Sequence, residues 1–391
     1  VSAPYPVPAF LVGVTGTNGK TSVTQWVAQA LNARGRKCAV VGTLGNGFPD
    51  SLVPGPNTTP GAHVLRELLP DLVRQGAKAC AMEVSSIGLH QGRVADLHFD
   101  VAVFTNLTRD HLEYHGSMEA YASEKARLFD ICDCAVLNLD DPFGAELARR
   151  LRGRIPTLGY TLENADGADG VLRATGLTET GAGLAFTLDG TRYAAPLVGR
   201  FNAANLLAVI GALLAGDETP EDIAAVLPGL QPPAGRMQAI GGEDAPLVVV
   251  DYAHSPDALE KVLTTLRGTA AARGGQLVCV FGCGGDRDPG KRPLMGAVAE
   301  RLADAAVLTS DNPRSEDPQE IIAAIRAGMT RQPAVEPDRK AAIAAAVSAA
   351  DVRDVVLLAG KGHEPYQEVA GRRLPFSDIE AARAALEVWT C

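Results

Sequence analysis

Apolar positions along this chain come in short runs separated by polar or glycine-rich breaks. Phe10–Val14 reads as a strand, the break Thr15–Thr21 follows, and Ser22–Ala33 carries helical periodicity. Further apolar runs lie at Lys78–Val84, Val101–Thr105 and Ala135–Asn138, with helix-like segments at His63–Gln75 and Met118–Phe129. Strand alternating with helix predicts an α/β parallel sheet. Residues 170–200 differ: Val171–Ala174, Leu184–Leu188 and Arg192–Leu197 are short stretches broken by Thr180-Gly-Ala-Gly and Asp189-Gly. They predict antiparallel hairpins inserted in or appended to the first domain, before a helix near Asn202–Ala215.

The Pro/Gly-rich stretch from Leu227 to Gly235 reads as a linker. Beyond it, the predicted strands are Leu247–Asp251, Leu277–Phe281, Ala306–Thr309 and Val355–Leu358. Each runs into a polar or glycine-rich loop: Asp251-Tyr-Ala-His, Gly282-Cys-Gly-Gly-Asp-Arg-Asp, Ser310-Asp-Asn-Pro-Arg and Ala359-Gly-Lys-Gly-His-Glu. Open parallel sheets gather ligands beyond the carboxyl ends of their strands, so these four loops are expected to face one site.

Composition narrows the function classes. With 391 residues, 46% hydrophobic and 21% charged, the chain is long enough for two or three domains with their own cores. Its net charge of −10 argues against nonspecific nucleic-acid or anionic-membrane binding while leaving room for a locally basic site. No apolar run is long enough to span a bilayer and no export signal opens the chain, so a cytoplasmic protein is expected. The seven cysteines are odd in number and scattered through apolar segments. They read as reduced, buried thiols rather than as metal pairs at Cys132/Cys134 or Cys279/Cys283.

The break after the first strand carries chemistry. Gly16-Thr17-Asn18-Gly19-Lys20-Thr21 ends like a phosphate-binding loop, although Val14 occupies the first position of the strict Walker spacing. Backbone amides in such a loop surround phosphate oxygens, Lys20 neutralises the outer phosphates, and the Thr21 hydroxyl reaches Mg²⁺. Glu83, at the end of the next apolar run, is placed to hold that ion. His111, in Asn106-Leu-Thr-Arg-Asp-His, reads equally as a metal ligand or as a histidine at a helix start, since Mg²⁺ prefers oxygen. Lys125, taken alone, reads as a solvated lysine in mid-helix.

Taken together, Gly16-Thr-Asn-Gly-Lys-Thr, Glu83-Val-Ser-Ser, Asn106-Leu-Thr-Arg-Asp-His, Asp251-Tyr-Ala-His-Ser-Pro-Asp, Asp311-Asn-Pro-Arg and Gly360-Lys-Gly-His-Glu resemble the Mur ligases over essentially the whole chain. Among them the run Asp311-Asn312-Pro313-Arg314 resembles the members that take meso-diaminopimelate. The resemblance implies a P-loop-type central ATPase domain over 10–232 with a small antiparallel β insertion, followed by a Rossmann-like α/β domain over 233–391 that binds the amino acid. It implies ATP and Mg²⁺, and catalysis by Lys20, Glu83, His111 and Lys125. Thr21, Glu83, His111 and Lys125, the last as a carbamate, would hold metal. Asn205, Arg236, Asp251 and His254 would join the phosphate loop around the nucleotide. Asn57, Thr58, Thr59, Ser85, Gln91 and Arg93 would contact UDP-N-acetylmuramoyl-L-alanyl-D-glutamate. Arg287, Asp311, Asn312, Pro313, Arg314, Gly360 and Glu364 would form the diaminopimelate pocket, where arginine clamps a carboxylate and acids hold an ammonium.

The reaction implied is ATP-driven amide formation in peptidoglycan synthesis, through an acyl phosphate and by a monomer. Residues 1–9 read as the linker remnant that would follow a uridine-gripping domain absent from this chain, and Ser22 stands where a second Thr is common. Two rival readings are a folylpolyglutamate synthase-like ligase and a non-catalytic nucleotide-binding subunit. The Asp-Asn-Pro-Arg run and the Asn57-Thr-Thr-Pro segment weigh against the first. Retention of Lys20, Glu83, His111 and Lys125 weighs against the second.

Overall fold

The computed structural model describes residues 4–180 and 183–390, and divides into two compact units. Residues up to Thr108 and from His115 to Gln231 make the first; Arg109–Tyr114 and the chain from Pro232 onward make the second. Gly181 and Ala182 of the predicted turn, and Cys391, lie outside the described residues.

The first unit is built on strands β1 (Phe10–Thr15), β2 (Cys38–Gly42), β3 (Gly45–Gly47), β4 (Ala79–Glu83), β5 (Phe99–Phe104), β6 (Cys132–Asn138), β7 (Thr157–Thr161) and β8 (Gly170–Arg173). They form one sheet in the order β3-β2-β4-β1-β5-β6-β7-β8, parallel except for β3. Every residue of β1 is buried, as a central strand covered on both faces requires. Val12, Val14, Val101 and Val103 pack on one face with Val23, Trp26 and Val27 of helix Lys20–Ala33 and with the apolar helix Arg200–Ala215. Leu11, Cys80, Met82, Ala102 and Phe104 pack on the other with Leu65, Leu69 and Leu72 of helix Ala62–Arg74. Tyr5 and Val7 also rest on this second core.

A separate three-stranded antiparallel sheet contains β9 (Thr175–Thr180), β10 (Gly183–Leu188) and β11 (Thr191–Ala195), in the order β11-β10-β9. This corrects one sequence expectation: Val171–Ala174 does not join the hairpins. Gly170–Arg173 pairs parallel with β7 at the edge of the main sheet, where Leu158, Leu172 and Tyr160 share a core with Val136.

The second unit has β12 (Gln238–Gly241), β13 (Leu247–Asp251), β14 (Leu277–Phe281), β15 (Ala305–Leu308), β16 (Ala334–Val335) and β17 (Val355–Ala359), ordered β12-β13-β17-β14-β15-β16. Only β12 runs antiparallel. The four loop-bearing strands β13, β17, β14 and β15 are therefore adjacent and parallel, and their carboxyl ends share one edge. A hairpin of β18 (Tyr366–Val369) and β19 (Arg372–Pro375) follows the last loop. Helix starts are capped as the sequence dictates: Ser255, Asp317, Asp338 and Ser377 each accept a backbone N–H of the first turn. Among the described residues no helix is long and apolar enough to cross a membrane.

Candidate active site

In the first unit the phosphate-loop residues are held from beneath by the segment after β5. Thr17 N donates to Asn106 O at 2.8 Å and Asn18 N to Asn106 Oδ1 at 3.0 Å, while Thr105 Oγ donates to Asn18 O at 2.6 Å. Asn205 is buried on helix Arg200–Ala215, its side chain against Gly19. Lys20 Nζ donates to Gly16 O and Thr17 O, both at 2.9 Å, so it curls over its own loop.

Lys125 departs from the solvated lysine expected of its helix position. It is buried, donates from Nζ to Gly16 O at 2.8 Å, and lies 4.4 Å from the centroid of the Tyr121 ring. Tyr121 sits one helical turn earlier, the spacing at which helix side chains meet, and its hydroxyl is 3.1 Å from Thr17 Oγ. Lys20 and Lys125 thus converge on one carbonyl.

Glu83, at the end of β4, is buried and accepts from the Thr21 hydroxyl at 3.0–3.1 Å, from Thr43 N at 2.8 Å and from Thr43 Oγ at 3.1 Å. Among the described residues no cationic side chain forms an ion pair with it. Lys20, Thr21, Glu83 and Lys125 therefore gather around one loop. His111 lies on the stretch that groups with the second unit. It has a φ of 54° just before helix Leu112–His115, with Asp110 Oδ2 3.6 Å and Glu113 Oε1 3.7 Å from its ring nitrogens.

A cavity of about 840 Å³ opens in the first unit, lined by Asn46, Phe48, Asn57, His63, Gln91 and Arg93 among others. Arg93 donates to Thr59 O at 2.6 Å and to Gln91 Oε1 at 2.6–3.0 Å. Thr59 Oγ donates to Glu83 O at 2.9 Å and meets Ser85 Oγ at 3.1 Å, and Thr58 Oγ is 3.0 Å from Thr43 Oγ. Thr59, Ser85, Gln91 and Arg93 are thus linked to one another, Thr59 and (through Thr43) Thr58 connect to Glu83, and Asn57 lines the cavity.

In the second unit, the Arg236 guanidinium lies 4.5 Å from the Tyr252 ring centroid. Asp251 accepts from Met237 N at 2.8 Å; burial raises its pKa, against the pull of Arg236. His254 Nδ1 is 2.8 Å from Tyr252 O and its Nε2 is 3.5 Å from Asp110. Burial opposes the charge on Asp110, but His254, His111 and Lys291 outweigh it and hold the carboxyl well below its ordinary range.

The Asp-Asn-Pro-Arg and Gly-Lys-Gly-His-Glu loops interlock. Asn312 Nδ2 donates to Glu364 Oε2 at 2.8 Å, and Gln367 Nε2 donates to Asp311 O at 2.8 Å. Gly360 has a φ of 116°, and a Cβ there would overlap Asp311 Oδ2, so only glycine leaves that carboxylate room. Arg314, itself at a φ of 53°, donates to Gly285 O at 2.8 Å and lies 3.6 Å from Glu368. Arg287 is exposed, donating to the Asp286 carbonyl at 3.2 Å, and is not hydrogen-bonded to the other pocket residues.

Two family models match in the order these units predict: the Mur ligase middle domain over residues 14–213 and the Mur ligase glutamate ligase domain over 235–362. The chain belongs to the Mur ligase family. It is 55% identical to the UDP-N-acetylmuramoyl-L-alanyl-D-glutamate–2,6-diaminopimelate ligase of Pseudomonas aeruginosa, and 54% identical to that of Ectopseudomonas mendocina. Each match covers 97% of this chain and 78% of the relative. A solved structure of a ligase with the same name is 41% identical, with a TM-score of 0.65 over 97% of this chain and 78% of that one. Folylpolyglutamate synthase of Mycobacterium tuberculosis shares the fold at 20% identity, with a TM-score of 0.71 over 92% of this chain and 88% of its own.

Mur ligase membership makes Mg²⁺ the ion to test against these residues. Among the described residues, Glu83 is a buried carboxylate hydrogen-bonded only by neutral donors, an arrangement that would suit a bound cation. The Thr21 hydroxyl and the Glu83 carboxylate are hard oxygen donors beside the phosphate loop, and fit Mg²⁺. The sequence expectations do not include Thr43, Tyr121 or Lys361. Tyr121 was marked by its four-residue spacing from Lys125, and Lys361 by its place inside a quoted motif. Nothing local marks Thr43, which reaches Glu83 only because β2 and β4 are neighbours.

Proposed function

We propose that this Mur ligase joins meso-diaminopimelate to the D-glutamyl carboxylate of UDP-N-acetylmuramoyl-L-alanyl-D-glutamate, consuming ATP, as a monomer in the cytoplasm. The observation that carries the reading is 54–55% identity over 97% of the chain to ligases of that name.

A carboxylate is a poor electrophile, so the γ-phosphoryl of ATP first converts it to an acyl phosphate. Loop amides from Gly16 to Thr21 bind the phosphates, and Lys20 leaves its carbonyls to follow the charge moving off the transferred group. Thr21 and Glu83 would hold Mg²⁺, which supplies charge neutralisation on the phosphate oxygens. Lys125, as a carbamate, would present an anion to metal where its ammonium now bonds Gly16 O. Arg93 and Gln91 orient the sugar-peptide, while Arg314, Asp311 and Glu364 hold the amino-acid end of diaminopimelate remote from the attacking amine. That neutral amine attacks the acyl carbon, and inorganic phosphate leaves. Incubation with ATP, Mg²⁺ and the UDP-dipeptide, with product mass as readout, tests the proposal. A UDP-tripeptide should form with diaminopimelate and far less with L-lysine. No ligated product with either amine would refute it.

A further inference from the structure

The loop that carries Glu364 also carries a lysine with no role in the scheme above. Lys361 is fully buried, although an ammonium is costly to bury unless it is paired and hydrogen-bonded. Its Nζ donates to Asn312 Oδ1 at 2.9 Å and to Glu364 Oε2 at 3.0 Å. Asn312 is locked in turn: its Oδ1 also accepts from Glu368 N at 2.9 Å, and its Nδ2 donates to the same Glu364 Oε2 at 2.8 Å. Two donors thus converge on one oxygen of Glu364. Its other oxygen accepts no hydrogen bond from any described residue.

Two neighbouring cations are already paired: Arg339 with Asp378 at 2.7 Å, and Arg314 with Glu368 at 3.6 Å. Lys361 in turn sets its positive charge against the Glu364 carboxylate at 3.0 Å.

We infer that Lys361 is a positioning residue for amine-donor recognition: it pins Oε2 of Glu364 and turns Oε1 toward the substrate ammonium. This rests on the ligase reading above. Lys361 does not touch the donor; it acts through Glu364 and Asn312.

The test uses the intact chain with ATP, Mg²⁺, the UDP-dipeptide and meso-diaminopimelate, comparing wild type, Lys361→Met, Lys361→Arg, Glu364→Gln and the Lys361→Met/Glu364→Gln double variant. Wild type must first form the UDP-tripeptide; if it does not, the ligase reading fails, independently of Lys361. Lys361→Met should raise the diaminopimelate KM about tenfold or more, the scale of a lost hydrogen bond to a charged group, with the KM for ATP within about twofold. Lys361→Arg, which keeps the charge, should recover part of the loss. The double variant should be no worse than Glu364→Gln alone, because both act through one carboxylate. Should Lys361→Met fail to fold, the comparison of Glu364→Gln with the double variant, in which neither charge is left unpaired, still decides. An unchanged diaminopimelate KM in Lys361→Met, equal losses for ATP and diaminopimelate, or additive losses in the double variant would overturn the inference.

Discussion

Gly42 shows how closely single atoms define this site. A Cβ at that position would overlap Glu83 Oε1, while the backbone there is not in the left-handed region. Gly42→Ala adds no backbone strain and should displace the carboxylate that we assign to Mg²⁺. The apparent Mg²⁺ requirement should rise about tenfold, with some loss of melting temperature from the disturbed Thr21 and Thr43 hydrogen bonds; an unchanged Mg²⁺ titration would show that Glu83 does not hold the ion. Lys20→Ala should lower the rate of ADP formation by about two to three orders of magnitude, because it removes a charge aimed at the moving phosphoryl group. Normal turnover in that variant would refute the role. Arg314→Ala should raise the diaminopimelate KM about tenfold or more while sparing ATP, and an equal loss with L-lysine would count against a substrate-specific clamp.

At the scale of elements, the second unit depends on a buried ion pair behind its pocket loops. Arg339 starts helix Arg339–Ser348 and Asp378 starts helix Asp378–Glu387. Both side chains are fully buried, and Arg339 also donates to Ser310 O and Ala359 O, the carbonyls just before Asp311 and Gly360. Arg339→Met strands Asp378 and two carbonyls, and should cost about 3–5 kcal/mol in urea unfolding of this unit. A cost below about 1 kcal/mol would mean that water or another donor replaces the arginine.

The elements themselves were unevenly legible. Long buried runs such as Phe10–Val14 and Val355–Leu358 announced their strands because both faces are covered and no polar residue interrupts them. Cys38–Gly42 is not marked as a strand by its sequence although every residue is buried, because a short run of Cys, Ala, Val and Gly has no period of its own. Val171–Ala174 was placed with the wrong sheet because alternation does not specify a partner, and here β7 offered an open parallel edge.

Across the whole molecule, the linear motifs named most of the site because each follows a strand end, where the chain leaves the sheet and its side chains are free to serve chemistry. What they could not give is burial. Lys125 read as a surface residue because helix periodicity says nothing of a carbonyl that reaches it from Gly16, a residue distant in sequence. Burial also governs the thiols. Cys38, Cys132, Cys279 and Cys283 are each pushed up from the ordinary 9.0 to about 12 by burial above all. A thiol with a raised folded pKa binds its proton more tightly when folded, so its contribution is complete below pH 9 and is lost as pH rises toward 12. Stability should fall above pH 9 by about 1.4 kcal/mol per pH unit for each thiol, and these four should resist thiol reagents at neutral pH until the protein unfolds. Prompt reaction of all four in the native protein would contradict their burial.

The central claim is that this chain activates a carboxylate by phosphoryl transfer before joining it to the diamino acid. Oxygen-18 placed in the D-glutamyl carboxylate of the UDP-dipeptide tests it most directly. With ATP, Mg²⁺ and meso-diaminopimelate, the label should appear in inorganic phosphate in step with amide formation, and ADP should be the nucleotide product. Amide formation that leaves the phosphate unlabelled, or that produces AMP, would contradict the account.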